Sequence, residues 1–212
     1  MRRRGMLVLL VSAIVLGVMF VLSVFKGDSY AYSTLLVSIL LLIIPASCIK
    51  NNVIVLPWPI LVSIGLSLSL HGLGVLTSLY QTSWWDIITH FVSGVTVASL
   101  AAILLIVTIV SSDKIMVPVS WIPFLLFVTV LAMEGIWEIM EFTFDNIIGT
   151  GMQHGLNDTM KDIAVNALSG IVAGVGFAYY ISKASLDDLV ESLRVERVVE
   201  WARNKFDDHY SF

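Results

Sequence analysis

Ionisable residues recur at helical spacing inside segments that are otherwise hydrocarbon. Asp86 and His90 stand at i, i+4; Glu134, Glu138 and Glu141 at i, i+4, i+7; Asp158, Asp162 and Asn166 at i, i+4, i+8. Residues so spaced share one face of a helix. With Asp145, which prolongs the second line, seven carboxylates and one imidazole lie in or at the ends of three apolar segments. An ionisable group at the centre of a bilayer costs about 3 kcal/mol or more, so such stripes face one another or a water-filled cavity. Like charges gathered there require protonation or a bound cation. Carboxylate oxygens and one imidazole suit a divalent ion: zinc would take His90 with carboxylates, whereas magnesium, manganese or calcium would accept carboxylates and water. The set reads as His90, Glu134, Glu138 and Asp162 holding the metal, with the Asn166 amide beside them. One of Glu141, Asp86 or Asp158 would then serve as general base on bound water.

A plainer reading stands beside this one for the outer members. Asp158 is suited to capping the helix that follows it, and Glu141 and Asp145 to the membrane–water interface. For His90, Glu134, Glu138 and Asp162 the plainer reading is a structural ion pair, which needs bases. The nearest base, Lys161, is rotated roughly 100° from Asp162 on the same helix. Other metal chemistries are excluded by residue type. No Glu-x-x-His pair of the di-iron bundles occurs, the only histidines are His71, His90, His154 and His209, and the single Cys48 allows neither an internal disulfide nor a Cys-rich site.

The elements that must position these residues are membrane helices. The 212 residues are 58% hydrophobic and 13% charged, where a soluble domain carries about 25% charge, and the mean hydropathy is +0.91. A net charge of −4 leaves no basic surface for nucleic acid. Six segments approach the roughly 20 residues that cross a bilayer: Met6–Phe25, Tyr32–Ile49, Val53–Leu79, Trp84–Val110, Met116–Phe142 and Asp158–Ile181. The third, with Pro57 and Pro59 at its start and His71 and Gly72 further on, is expected to be shorter or broken. The first has the basic start of a signal peptide, but its apolar run exceeds the 7–15 residues usual there, so it reads as a retained anchor. Arg2, Arg3, Arg4, Lys50, Lys114 and the basic residues after the sixth span all fall on one side. Only Lys26 and Lys161 fall on the other. This bias predicts a multi-pass protein of the cell membrane with both termini cytoplasmic.

In that orientation all three acidic stripes reach the outer leaflet. At about 1.5 Å per residue, His90 and Asp162 would sit about 6–9 Å inside their helix starts and Glu134 roughly 12 Å from its helix end. The expectation is a pocket open to the outside. The connection 143–157, with Gly149, Thr150, Gly151 and Gly155, would lie over it as a polar loop. There Gln153 and His154 would be lid or substrate contacts, or parts of a plain connection. Gly170 and Gly174 form a small-xxx-small pair for close helix packing. Trp84, Trp85, Trp121 and Trp137 suit an interfacial belt.

The run Trp137-Glu138-Ile139-Met140-Glu141-Phe142, followed by Gln153, Asp158, Asp162 and Asn166 and preceded by Asp86 and His90, resembles the YjdF-like family of small polytopic membrane proteins. The resemblance covers about residues 80–176. It implies a membrane bundle with a site at these residues and specifies no reaction. A looser likeness to VanZ-like proteins rests on their acid-and-histidine set in short membrane helices.

The sequence thus predicts an all-α integral membrane bundle of about six helices over 1–183 and a cytoplasmic amphipathic tail over 184–212. In the tail, Ser185 and Asp188 form a capping-box-like start, and Leu186, Leu189, Val190, Leu193 and Val198 keep helical spacing. Seven acids and four bases between Asp187 and Asp208 disfavour anchoring on anionic lipid. A partner helix, a second copy of the chain or simple surface docking would take the apolar face. Three functions remain. One is a metal-dependent hydrolase or transferase on a lipid or lipid-linked substrate. Another is a cation or proton-coupled transporter, which needs polar residues continuing through the membrane, where only Ser93, Ser99, Thr129 and Ser169 are available. The last is a membrane scaffold acting through its tail.

Overall fold

The computed structural model describes residues 2–51, 53–111 and 115–183, with 191, 193, 195 and 198–200 of the tail. These form α1 (Arg2–Lys26), α2 (Ser29–Lys50), α3 (Trp58–Thr77), α4 (Ser83–Ser111), α5 (Ile122–Ile148) and α6 (Leu156–Lys183), with 3₁₀ turns at Leu79–Gln81 and Val119–Trp121. All six α-helices are long and apolar enough to cross a bilayer. The described residues contain no strand, as a bilayer that offers no partners to open backbone groups requires.

Local chemistry sets the boundaries. Gly27, at φ +69°, makes the tight α1–α2 turn, and Asp28 caps α2 by accepting from the Ala31 amide at 3.0 Å. Pro57, extended at ψ 139°, delays α3 to Trp58, so this span is shorter than the apolar run suggests, as anticipated. The largest departure is α5. Pro118, at ψ 139°, holds the chain before Val119 extended, and the helix begins only at Ile122 with Pro123 in its first turn. It then runs past Phe142 to Ile148, where Gly149 at φ +75° ends it. Glu134 is therefore about 21 Å from the end of α5, deeper along its helix than the predicted boundary placed it. The last turns of α5 rise above the start of α6.

α6 packs against both α4 and α5, α3 against α4, and α1 against α2 and α3. Leu9, Leu16, Leu35, Leu42, Ile49 and Leu61 form the core of the first three helices, joined by Ile103 and Val107 of α4. Small residues let α6 approach its neighbours. A Cβ on Gly174 would lie 2.6 Å from Pro123 Cα, and one on Gly170 3.0 Å from Phe127 Cα, both on α5. On the other side, Gly94 of α4 sits against Ser169 and Asn166 of α6 with no room for a methyl group. Without hydrophobic force between helices in lipid, such close approach is a main source of association. Of the tryptophans, Trp84 and Trp121 are exposed as a belt requires, whereas Trp85 and Trp137 turn inward.

Most of the predicted tail helix lies outside the described residues. Residues 198–200 are helical, and Leu193 and Val195 are buried in the core of the first three helices. The Leu193 carbonyl accepts from the Val55 amide at 2.8 Å. These apolar tail residues are thus covered by the protein's own bundle.

Gly174→Ala should destabilise the bundle by about 1–3 kcal/mol, the usual penalty of an overpacked contact, because the obstacle is Pro123 backbone rather than a movable side chain. Gly176→Ala, which faces open space, should leave thermal unfolding in detergent unchanged. Equal midpoints for the two variants would contradict the packing described.

Candidate metal centre

His90 stands at the meeting point of α4, α5 and α6. Its Nε2 lies 3.4 Å from Asp86 Oδ1 and 3.9 Å from Asp162 Oδ1. Its Nδ1 lies 3.2 Å from Glu134 Oε1 and 3.0 Å from Asn166 Nδ2. The ring therefore presents one nitrogen to two aspartates and the other to a glutamate and an amide. Each of Asp86, His90 and Asp162 contributes one ligand atom to a group lying within 4.8 Å of one another, the dimension of a single cation site. Asn166 also bonds the Asp162 carbonyl at 3.2 Å, and Ser169 bonds the Asn166 carbonyl at 2.8 Å, which fixes α6 at this level.

The carboxylates are buried without adequate donors. Glu134, Glu138 and Asp162 are 4–6% exposed. Glu134 Oε1, Glu138 Oε1 and Asp162 Oδ1 have no hydrogen-bond donor among the described residues. The Glu134–His90 approach is in ion-pair range without hydrogen-bond geometry. An unsatisfied buried charged group costs more than the about 1–3 kcal/mol of a neutral one, so three such atoms at one place call for a proton or a cation. The side chains of His90 and Asp86 are 12% and 15% accessible, so both are largely buried.

One helical turn outward, a second level is tied together by hydroxyl and indole groups. The Thr159 hydroxyl donates to Glu138 Oε2 at 2.6 Å, and the Gln153 amide donates to Thr159 at 3.4 Å. The Trp137 indole donates to Glu141 Oε1 at 2.7 Å. Asp145 gathers the returning loop by accepting from the backbone amides of Met152 and Gln153, each at 2.8 Å, and from the Thr150 hydroxyl. The loop thereby folds back along the projecting end of α5 towards the site. Asp158, by contrast, faces His154 at 3.4 Å on the rim, with His154 half exposed.

The residues singled out by spacing thus separate into groups. Asp86, His90 and Asp162 converge as a possible ligand triad, and Asp86 enters this group in place of the expected ligands Glu134 and Glu138. Glu134 and Asn166 adjoin the far side of the imidazole. Glu138 and Glu141 form the outer level, Gln153 reaches it through Thr159, and Asp145 fastens the loop. Asp158 and His154 pair on the rim. Three contributors escaped the spacing argument. Thr159 stands three residues before Asp162 and prolongs the Asp162, Asn166, Ser169 stripe, a signal that was present in the sequence. His71 of α3 and Tyr80 of the following turn were not identifiable, because only folding brings them here. His71 Nδ1 lies 2.7 Å from the Tyr80 hydroxyl, and its ring meets Trp137 edge-on at 6.0 Å. Burial pushes the Tyr80 phenol up, and the nearby carboxylates Asp86 and Glu141 push it further.

Asp145→Ala should release the loop. Limited proteolysis of the protein in vesicles should cut within 149–155 severalfold faster than in wild type. An unchanged cleavage rate would show that the three contacts do not hold it.

Residues 8–183 match the family described as Predicted membrane protein (DUF2238). The match extends from the first helix to the end of α6, well beyond the stretch that carried the YjdF-like resemblance, and the two are consistent. No curated protein and no solved structure matches the chain. With the family covering every helix of the bundle, the chain belongs to the family described as Predicted membrane protein (DUF2238).

Proposed function

We propose that the protein is a metal-dependent membrane enzyme whose site opens on the extracytoplasmic side, a hydrolase or transferase acting on a lipid or lipid-linked substrate. The observation that carries this reading is the convergence of Asp86, His90 and Asp162 within 4.8 Å, beside three buried carboxylate oxygens that lack donors. One imidazole and two carboxylates suit zinc or manganese, with magnesium as the harder alternative. Bound there, such an ion would lower the pKa of a water and polarise an ester or phosphoryl oxygen.

The protein's own groups have distinct parts in this scheme. His90 Nε2, Asp86 and Asp162 hold the cation. Glu134 lies 3.2 Å from Nδ1 outside hydrogen-bond geometry and places negative charge behind the imidazole. Glu141, held by the Trp137 indole in the outer level, is the general base. The membrane position, with lipid-facing helices around the site, favours a substrate that arrives in the bilayer. Beneath the site the packing is tight. Gly94 abuts Ser169 and Asn166, the Ser63 and Thr96 hydroxyls bond each other at 2.5 Å, and Ala98, Ala102, Leu126 and Val130 follow, all buried. Further along, Ala102, Leu105, Ile106, Ile122 and Ile181 line an apolar cavity, and such a hydrocarbon lining offers an ion no polar path, which supports catalysis at one face over passage through the membrane.

Elemental analysis of the purified protein tests the reading first. Stoichiometric zinc or manganese is expected in wild type and its loss in Asp162→Asn and His90→Ala. Glu134→Gln, which removes a negative charge 3.2 Å from the imidazole, should weaken binding without abolishing it. Metal-dependent turnover of a lipid phosphate or ester should follow. Binding of metal coupled instead to its release inside proteoliposomes would replace the enzyme with a transporter. Absence of metal after incubation with all three ions would overturn the metal-dependent enzyme and bring proton-coupled transport to the front.

A further inference from the structure

Charge at the site exceeds what one ion neutralises. Asp86, Glu134, Glu138 and Asp162 are four carboxylates on three helices, and among the described residues the ion pairs recorded for them all run to His90. A single divalent cation with a neutral imidazole leaves two of the four negative charges uncompensated in a low-dielectric interior, where they repel strongly.

The excess has a definite location. Glu138 is 6% exposed, and it lies outside the Asp86, His90 and Asp162 group. Its Oε2 accepts from Thr159 at 2.6 Å, which turns the carboxylate so that Oε1 remains without a donor. Glu134, one turn deeper on the same face of α5, turns its Oε1 to His90 Nδ1 at 3.2 Å without a hydrogen bond, so Oε2 is the atom it would offer to a second position. Thr159 precedes Asp162 by about 4.5 Å along α6, and Glu134 and Glu138 are about 6 Å apart along α5. An ion midway between the two glutamates would therefore lie about 3 Å outward of Glu134 along α5, a rise compatible with the roughly 3.5–4 Å separation of two-metal sites.

We infer that the site holds two divalent cations, the first at His90, Asp86 and Asp162 and the second, on the outward side, at Glu138 and Glu134, with Thr159 orienting Glu138. This rests on the metal-dependent reading given above and deepens it. The ligands of the second position are all oxygens, so it suits manganese or magnesium. A pair of cations would offset the carboxylates and make the site receptive to an anionic group such as a phosphate ester, which the acidic residues alone would repel.

The experiment is a manganese titration of the full, metal-stripped protein in detergent, read by elemental analysis and electron paramagnetic resonance. Two manganese ions per chain with a spin-coupled spectrum are expected. Glu138→Gln should bind one ion with an uncoupled spectrum, and Glu138→Asp, which keeps the charge, should restore the second at lower affinity. One ion in wild type, with the infrared band of a protonated carboxylic acid that Glu138→Gln removes, would overturn the second position while leaving the first intact. No ion in wild type would defeat the metal reading itself. The wild-type count decides between these even where a variant fails to fold.

Discussion

The structure depends on carboxylates buried at a helix junction where, among the described residues, the recorded ion pairs all run to one imidazole. In water this would be unremarkable chemistry; inside a bundle that hydrocarbon surrounds, each uncompensated charge is a severe penalty. Among the described residues His90 alone meets Asp86, Glu134 and Asp162 within ion-pair distance, and one imidazole cannot satisfy all three. The arrangement is therefore unstable as a purely structural device.

The remaining architecture serves to bring these groups into register. α6 reaches α4 through Gly94 and α5 through Gly170 and Gly174, and a methyl group at any of the three would force a shift. These glycines lie on the same helix pairs that carry the acidic stripes. Close backbone approach is what allows the short side chains of Asp162 and Asn166 to reach His90. The loop after α5 is fastened at Asp145, outside this cluster. Gln153 and Thr159 connect the two by hydrogen bonds.

The first three helices have a different part. Their core is aliphatic and includes Leu193 and Val195 from the tail, so the face opposite the site is closed by the protein itself. Only the end of α3 approaches the acidic cluster, where His71 joins Tyr80 and Trp137. Through the Trp137 indole this aromatic group braces Glu141. The bundle is thus asymmetric, polar at one end of α4, α5 and α6 and hydrocarbon elsewhere.

Much of this was legible in the sequence because the bilayer leaves few alternatives. Apolar runs of about 20 residues become helices, and carboxylates repeated every three or four positions share a face, which placed an acidic stripe on each of three helices. Boundaries followed less closely where proline and glycine overrode hydropathy. Pro118 and Gly149 moved α5 beyond its apolar run and carried Asp145 into the helix, where its carboxylate captures the loop. Only tertiary structure decided which carboxylates meet. Spacing along one helix cannot report rotation relative to another, so Asp86 joining Asp162 on one side of His90, with Glu134 on the other, was undetermined. His71 and Tyr80 lie on a different helix end altogether, and their approach to Trp137 depends on how α3 packs in the bundle. Sequence fixes the face a residue occupies; the packing of backbones at Gly94, Gly170 and Gly174 determines what that face touches.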